Sequence, residues 1–100
     1  MRILTFGTLQ AFWTTQPLAE TPLRTWFSVT RAAAWKNSAE VLATFNSASL
    51  LPDDRVVFNI HGNHYRLVAA INYSRSTVFV KFIGTHAEYD RIDARTISLF

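Results

Sequence analysis

The hydrophobic residues change period midway along the chain, and that switch confines the fold more tightly than any other feature. Before Asn46 the apolar side chains recur at helical spacing; after Asp54 they alternate with the period of two that a strand requires. From Thr8, the residues Leu9, Phe12 and Trp13 mark a first helix, which Pro17 stops. Thr21-Pro22 reads as the start of a second, with Thr as N-cap and Pro at the first helical position, where its missing N–H costs nothing. Leu23, Trp26, Phe27 and Thr30 then form one stripe, and the short join at 17–21 predicts an antiparallel helix pair. Asn37 or Ser38 caps a third, short helix, with Glu40 in its first turn and Val41, Leu42 and Phe45 inside. Ahead of them, residues 2–5 alternate weakly, as a short edge strand does.

The second half reads as a meander. Residues 46–54 are polar and contain the turn Pro52-Asp53-Asp54. Strands are predicted over 55–60, 64–73 and 77–83, separated by the turns His61-Gly62-Asn63 and Ser74-Arg75-Ser76. Thr85-His86-Ala87-Glu88 has the spacing of a capping box and opens a short final helix. Helices followed by a meander give an α+β domain spanning 1–100. Its N-terminal helices pack on one face of a small antiparallel sheet, and a short C-terminal helix ends it.

Composition narrows the chemistry. One hundred residues, 49% of them hydrophobic, supply one core and are too apolar for a disordered chain. The absence of Cys excludes disulfides, zinc fingers and thiol nucleophiles and fits a reducing cytoplasm. No apolar run approaches the roughly 20 residues that span a bilayer, and the start lacks the apolar stretch of a secretory signal. Net charge is +3, and eight of the ten basic residues are Arg, which favours bidentate phosphate contacts. Neither a Gly-rich phosphate loop nor a serine nucleophile elbow is present.

Strand alternation then sorts side chains by face. Arg66, Val68, Ala70 and Asn72 share one side of the second strand, with Tyr65, Leu67, Ala69, Ile71 and Tyr73 opposite. On the third strand Val78, Val80 and Phe82 form an apolar set, a natural helix-covered face, leaving Lys81 opposite with Thr77, Phe79 and Ile83. Arg66 and Lys81 are thereby expected on the uncovered face of neighbouring strands, as solvated cations or as an anion grip. His86, Tyr89 and Asp90 follow at i, i+3 and i+4, either closing the core edge or supplying proton carriers beside a phosphate. His61 and His64 flank the hairpin, and with His86 they raise a three-His metal reading; no closed ligand set is evident, and turn residues explain them better. Trp13, Trp26 and Trp35 read as core or partner-docking groups rather than base-stacking platforms.

Taken together, three segments resemble the HigB toxin family of bacterial type II toxin–antitoxin systems, within the RelE-like group of messenger-RNA endonucleases. They are Arg55-Val-Val-Phe-Asn-Ile60, Gly62-Asn63 with Tyr65-Arg66-Leu67-Val68, and Phe82-Ile-Gly-Thr-His86-x-Glu88-Tyr89-Asp90; Ala34-Trp35-Lys36 also fits. The resemblance implies a RelE-like fold and a metal-independent, cofactor-free endoribonuclease. It would cleave mRNA under translation at the ribosome and be neutralised by a HigA-like helix-turn-helix antitoxin. It implies catalytic roles for Arg66, Lys81, His86, Tyr89 and Asp90, with Arg55, Asn63, His64 and Arg91 as RNA contacts. The RNA's own 2′-hydroxyl would attack the adjacent phosphate, giving a cyclic phosphate and a 5′-hydroxyl. A noncatalytic RNA-binding or protein-interaction domain using the same basic face is the alternative. One departure stands out: relatives often read Gly-Gly-Asn-Lys-Tyr where this chain has His61-Gly62-Asn63-His64-Tyr65. Imidazole in place of a permanent cation would make RNA binding sensitive to pH near about 6–7. The apolar tail Ile97-Ser98-Leu99-Phe100 is expected to add a strand or cover an exposed edge.

Overall fold

The computed structural model describes residues 1–99; Phe100, the end of the apolar tail, lies outside the described residues. The elements run β1 (Arg2–Leu4), α1 (Phe6–Thr15), α2 (Glu20–Ala32), α3 (Ser38–Thr44), β2 (Ser49–Leu51), β3 (Arg55–Ile60), β4 (Tyr65–Asn72), β5 (Thr77–Thr85) and α4 (His86–Tyr89). The fold is α+β. Among the described residues no helix is long and apolar enough to cross a membrane.

Local chemistry sets most of these bounds. A 3₁₀ turn over Pro17–Ala19 leads straight into α2, which starts at Glu20 without a side-chain cap. Thr21 is therefore inside the helix rather than capping it. Pro22 still falls within the first turn, where backbone N–H groups have no intrahelical partner to lose. Asn37 does cap α3, its side chain accepting the Glu40 N–H at 3.1 Å. The segment expected to be only loop contributes β2, whose Leu50 and Leu51 pair with Val56 and Arg55.

The strands form one sheet in the order β1-β5-β4-β3-β2. The meander is antiparallel, but β1 lies parallel to β5, so the sheet is mixed. One face carries Val56, Phe58, Leu67, Ala69, Ile71, Val78 and Val80 against Leu9, Trp13, Leu23, Trp26, Trp35 and Val41 from the helical half. Trp26 meets Phe58 edge-on at 5.4 Å, and Phe12 of α1 meets Tyr65 at 5.5 Å. Each such large side chain contributes about 1.5–3 kcal/mol by leaving water, so this layer fixes the sheet.

The other face departs from the alternation expected of it. Val80 pairs with Ala69 and Phe82 with Val68, which leaves Lys81 as an extra residue in a β-bulge. The bulge reverses the phase of β5. Phe82 consequently lies on the face opposite Val78 and Val80, and Ile83 joins the helix-covered core. Phe82, Val57 and Val68 form a second small core, covered by Leu51, Tyr89, Ile92, Ala94 and Ile97. The face read as uncovered is thus roofed in its middle by the C-terminal segment. Arg55 holds that roof, donating to the carbonyls of Ala94 at 3.2 Å and Ile97 at 2.7 Å. The Leu99 N–H donates to the bulge carbonyl of Lys81 at 3.0 Å, so the tail covers the sheet without forming a strand.

Candidate functional site

Beyond the roof, at the β3–β4 hairpin end of the sheet, polar side chains gather. The hairpin turns through left-handed backbone at His61 (φ 54°) and Gly62 (φ 62°) and closes with the His64 N–H on the His61 carbonyl at 3.2 Å. Ile60 then pairs with Tyr65, which places Arg66 between Asn59 of β3 and Gly84 of β5.

Arg66 is 9% exposed. Its Nη1 donates to the Tyr65 carbonyl at 3.1 Å, and its Nη2 donates to Asn63 Oδ1. The guanidinium carbon lies 6.0 Å from the centre of the Tyr89 ring. Among the described residues no carboxylate reaches it: the ion pairs are Arg24–Glu20, His86–Asp90 and Arg95–Asp93. Opposite it, Gly84 cannot carry a side chain, since an added Cβ would sit 2.5 Å from the Phe82 ring and 3.3 Å from Glu88 Cβ.

The strand end feeds α4 through the capping box read from the sequence. Thr85 Oγ1 accepts the Glu88 N–H at 3.2 Å, and Glu88 accepts the Thr85 N–H at 2.8 Å. That box orients His86, whose Nδ1 lies 3.0 Å from Asp90 Oδ2. With Nδ1 occupied, Nε2 is the nitrogen available to a substrate. The His86 N–H also donates to the His64 carbonyl at 2.9 Å, tying the final helix to the hairpin. Tyr89 packs on Phe82 at 6.4 Å between ring centres, linking the small core to Arg66. One end of the sheet therefore combines a cation without an anion, an oriented imidazole and a phenol, which is equipment for proton transfer beside a phosphate.

Not every expected member joins this group. Lys81, as the bulge residue, has no place directly across from Arg66; Gly84 does, three residues or roughly 10 Å further along the strand. Its ammonium instead lies 5.6 Å from the Phe79 ring, towards the other end of β5. Arg55 shares the sheet face of Arg66 but stands across from Ala70, and its guanidinium is engaged with the tail. Arg91 is exposed in the turn after α4. Asn63 holds Arg66, and His64 is exposed at the hairpin with its ring 4.7 Å from that of His61. Among the described residues no three His, Asp or Glu side chains gather as a metal ligand set. Gly84 carries one signal in the sequence, a glycine two residues after Phe82 in a strand otherwise free of glycine.

Comparison with known proteins gives this arrangement a setting. Residues 19–92 match the model of the HigB toxin family, described as the RelE-like toxic component of a toxin–antitoxin system. Over 36 residues the chain is 44% identical to an mRNA interferase HigB of Escherichia coli O6:H1. That stretch is 36% of this chain and 35% of the relative, so the similarity spans about a third of the curated protein's length.

Proposed function

The chain belongs to the HigB toxin family of RelE-like toxins, and on that premise we propose that residues 1–100 form one toxin domain that cleaves messenger RNA. It acts in the cytoplasm on messages under translation at the ribosome, and a HigA-like helix-turn-helix antitoxin neutralises it. The nucleophile is the RNA's own 2′-hydroxyl, so the reaction calls for no metal-activated water. Attack on the adjacent phosphorus breaks the bond to the 5′-oxygen and leaves a cyclic phosphate and a 5′-hydroxyl. The protein aligns the phosphate, stabilises the added negative charge, and moves one proton off the attacking oxygen and one onto the leaving oxygen.

The observation that carries this reading is the Arg66 guanidinium, nine-tenths buried and without a carboxylate. Burying a cation unpaired is costly, and a fold retains one where an anion arrives from outside. Arg66 grips the scissile phosphate, steered by Asn63. His86, oriented by Asp90, and Tyr89 are the two proton carriers. Lys81 and Arg91 add attraction along the RNA path, and Arg55 supports the site through the tail it holds.

Expression in a bacterial host tests the reading. Growth arrest is expected, with translated messages cut to cyclic-phosphate ends, which attack by a metal-activated water would not leave. His86→Ala should lower cleavage about 10²–10⁴-fold while the protein stays folded. Messages that remain whole but are retained by the protein in a salt-sensitive way would instead mark a noncatalytic binder.

A further inference from the structure

Directly across the ladder from Arg66 stands Asn59 of β3, an amide that the cleavage reaction does not use. Paired residues of antiparallel strands share a face, with Cβ atoms about 5 Å apart. Asn59 lies two residues after Val57 and Arg66 two before Val68, both of the small core, so the two side chains project from that partly roofed face. Asn is depleted in strands, and here it interrupts the apolar run Val56-Val57-Phe58 before Ile60. Asn59 is exposed while Arg66 is nine-tenths buried, which puts the amide at the rim of the proposed phosphate grip.

The amide has a fixed direction. Its Nδ2 donates to the Ser47 carbonyl at 3.1 Å, just ahead of β2. A carbonyl can only accept, so it selects the nitrogen and turns Oδ1 away from Ser47. Among the described residues nothing donates to that oxygen. The Arg66 guanidinium donates to Asn63 and to the Tyr65 carbonyl instead, and Gly84 on the far side of Arg66 brings no side chain. A phosphodiester carries acceptors alone and cannot satisfy Oδ1, whereas the bases of RNA carry donors. Nδ2 has a second N–H, so the amide offers an acceptor and a donor side by side. A base edge with an amino group next to a ring nitrogen fits both, and a ribose hydroxyl fills only one.

We propose that Asn59 reads the base of a nucleotide flanking the scissile phosphate, accepting from its amino group. The inference rests on the nuclease reading and deepens it by giving the site a preference among nucleotides. With the phosphate on Arg66, the adjoining base is splayed towards β3 and meets an amide that the Ser47 carbonyl has already oriented. Adenine, cytosine and guanine carry an amino group and uracil does not, so uracil is the base disfavoured at this position.

The test follows cleavage of messages with one defined cut site in a reconstituted translation reaction, varying the nucleotide on either side of the cut. At one of the two positions the parent chain should cut most slowly with uracil. In the message cut fastest, the base there is exchanged for its counterpart lacking only the amino group: purine for adenine, hypoxanthine for guanine, 2-pyrimidinone for cytosine. That exchange should slow the parent about three- to tenfold, the worth of one net hydrogen bond. Asn59→Val and Asn59→Ala should cut both messages at one rate, with circular dichroism as the control for folding; Val suits a strand better than Asn. Any effect of the missing amino group on decoding is common to all three proteins. A parent indifferent to the amino group, or an amino-group dependence that survives both substitutions, overturns the contact and leaves the nuclease reading in place. So does a variant that has lost sensitivity to a neighbouring 2′-hydroxyl instead, which would assign Asn59 to ribose. A parent that cuts none of the messages fails the nuclease reading itself, and the contact falls with it.

Discussion

Asn63 is an exposed turn residue whose side-chain oxygen fixes the one buried cation of the site. Its replacement removes no core contact, yet it frees the guanidinium to reorient. Asn63→Ala should therefore reduce cleavage about 10–100-fold, the loss expected for a reacting group displaced by about an ångström, with an unchanged melting temperature as the control. Gly84 makes the opposite case. Gly84→Ala brings a methyl to 2.5 Å from the buried Phe82 ring, which must shift to admit it, and should cost about 1–3 kcal/mol in denaturant unfolding. These two residues also separate what a sequence discloses from what it hides. The Thr85–Glu88 capping box was legible because four residues and two hydrogen bonds complete it. The Asn63 contact was not, since it depends on how a turn aims its side chain at the next strand.

At the scale of elements, β3 and α3 were readable from alternation and caps, whereas β5 misled. Val78, Val80 and Phe82 alternate cleanly, and nothing in hydrophobicity announces that Lys81 interrupts the pairing. Register belongs to two strands at once, so a pattern in one of them cannot fix it. The same limit hides the roof: the resemblance makes Arg55 an RNA contact, and only the return of the chain some forty residues later gives it Ala94 and Ile97 as partners. The β4–β5 turn carries its own test. Burial, reinforced by the Asp54 carboxylate, raises the pKa of the Tyr73 phenol above its ordinary value. A raised folded-state pKa gives stability that is complete below the unfolded pKa, about 10, and is lost as pH climbs through the folded one. Tyr73→Phe should flatten that alkaline decline. Because the Tyr73 hydroxyl is buried without a hydrogen-bond partner, it should also leave neutral-pH stability equal or higher by about 1 kcal/mol. Thermal melts from about pH 8 to pH 11 would check both.

Across the whole molecule the two faces of the sheet divide the labour. The helix-covered face carries the larger core, and the opposite face is roofed only over its small middle cluster. The α+β plan was plain from the change of hydrophobic period, while the mixed character of the sheet was not, because the β1–β5 pairing joins the two ends of the chain. The bulge has a consequence for how this fold can change length. Val80 and Phe82 already occupy consecutive rungs opposite Ala69 and Val68. Cutting out Lys81 would close the ladder into uninterrupted pairing with every neighbour still facing its proper layer. A central strand normally cannot be shortened without turning half its side chains inside out. Here excision of that one amino acid should yield a protein that still folds cooperatively with the same circular dichroism, having forfeited only the anchor for Leu99; loss of soluble protein on excision would show that the surplus is structural after all.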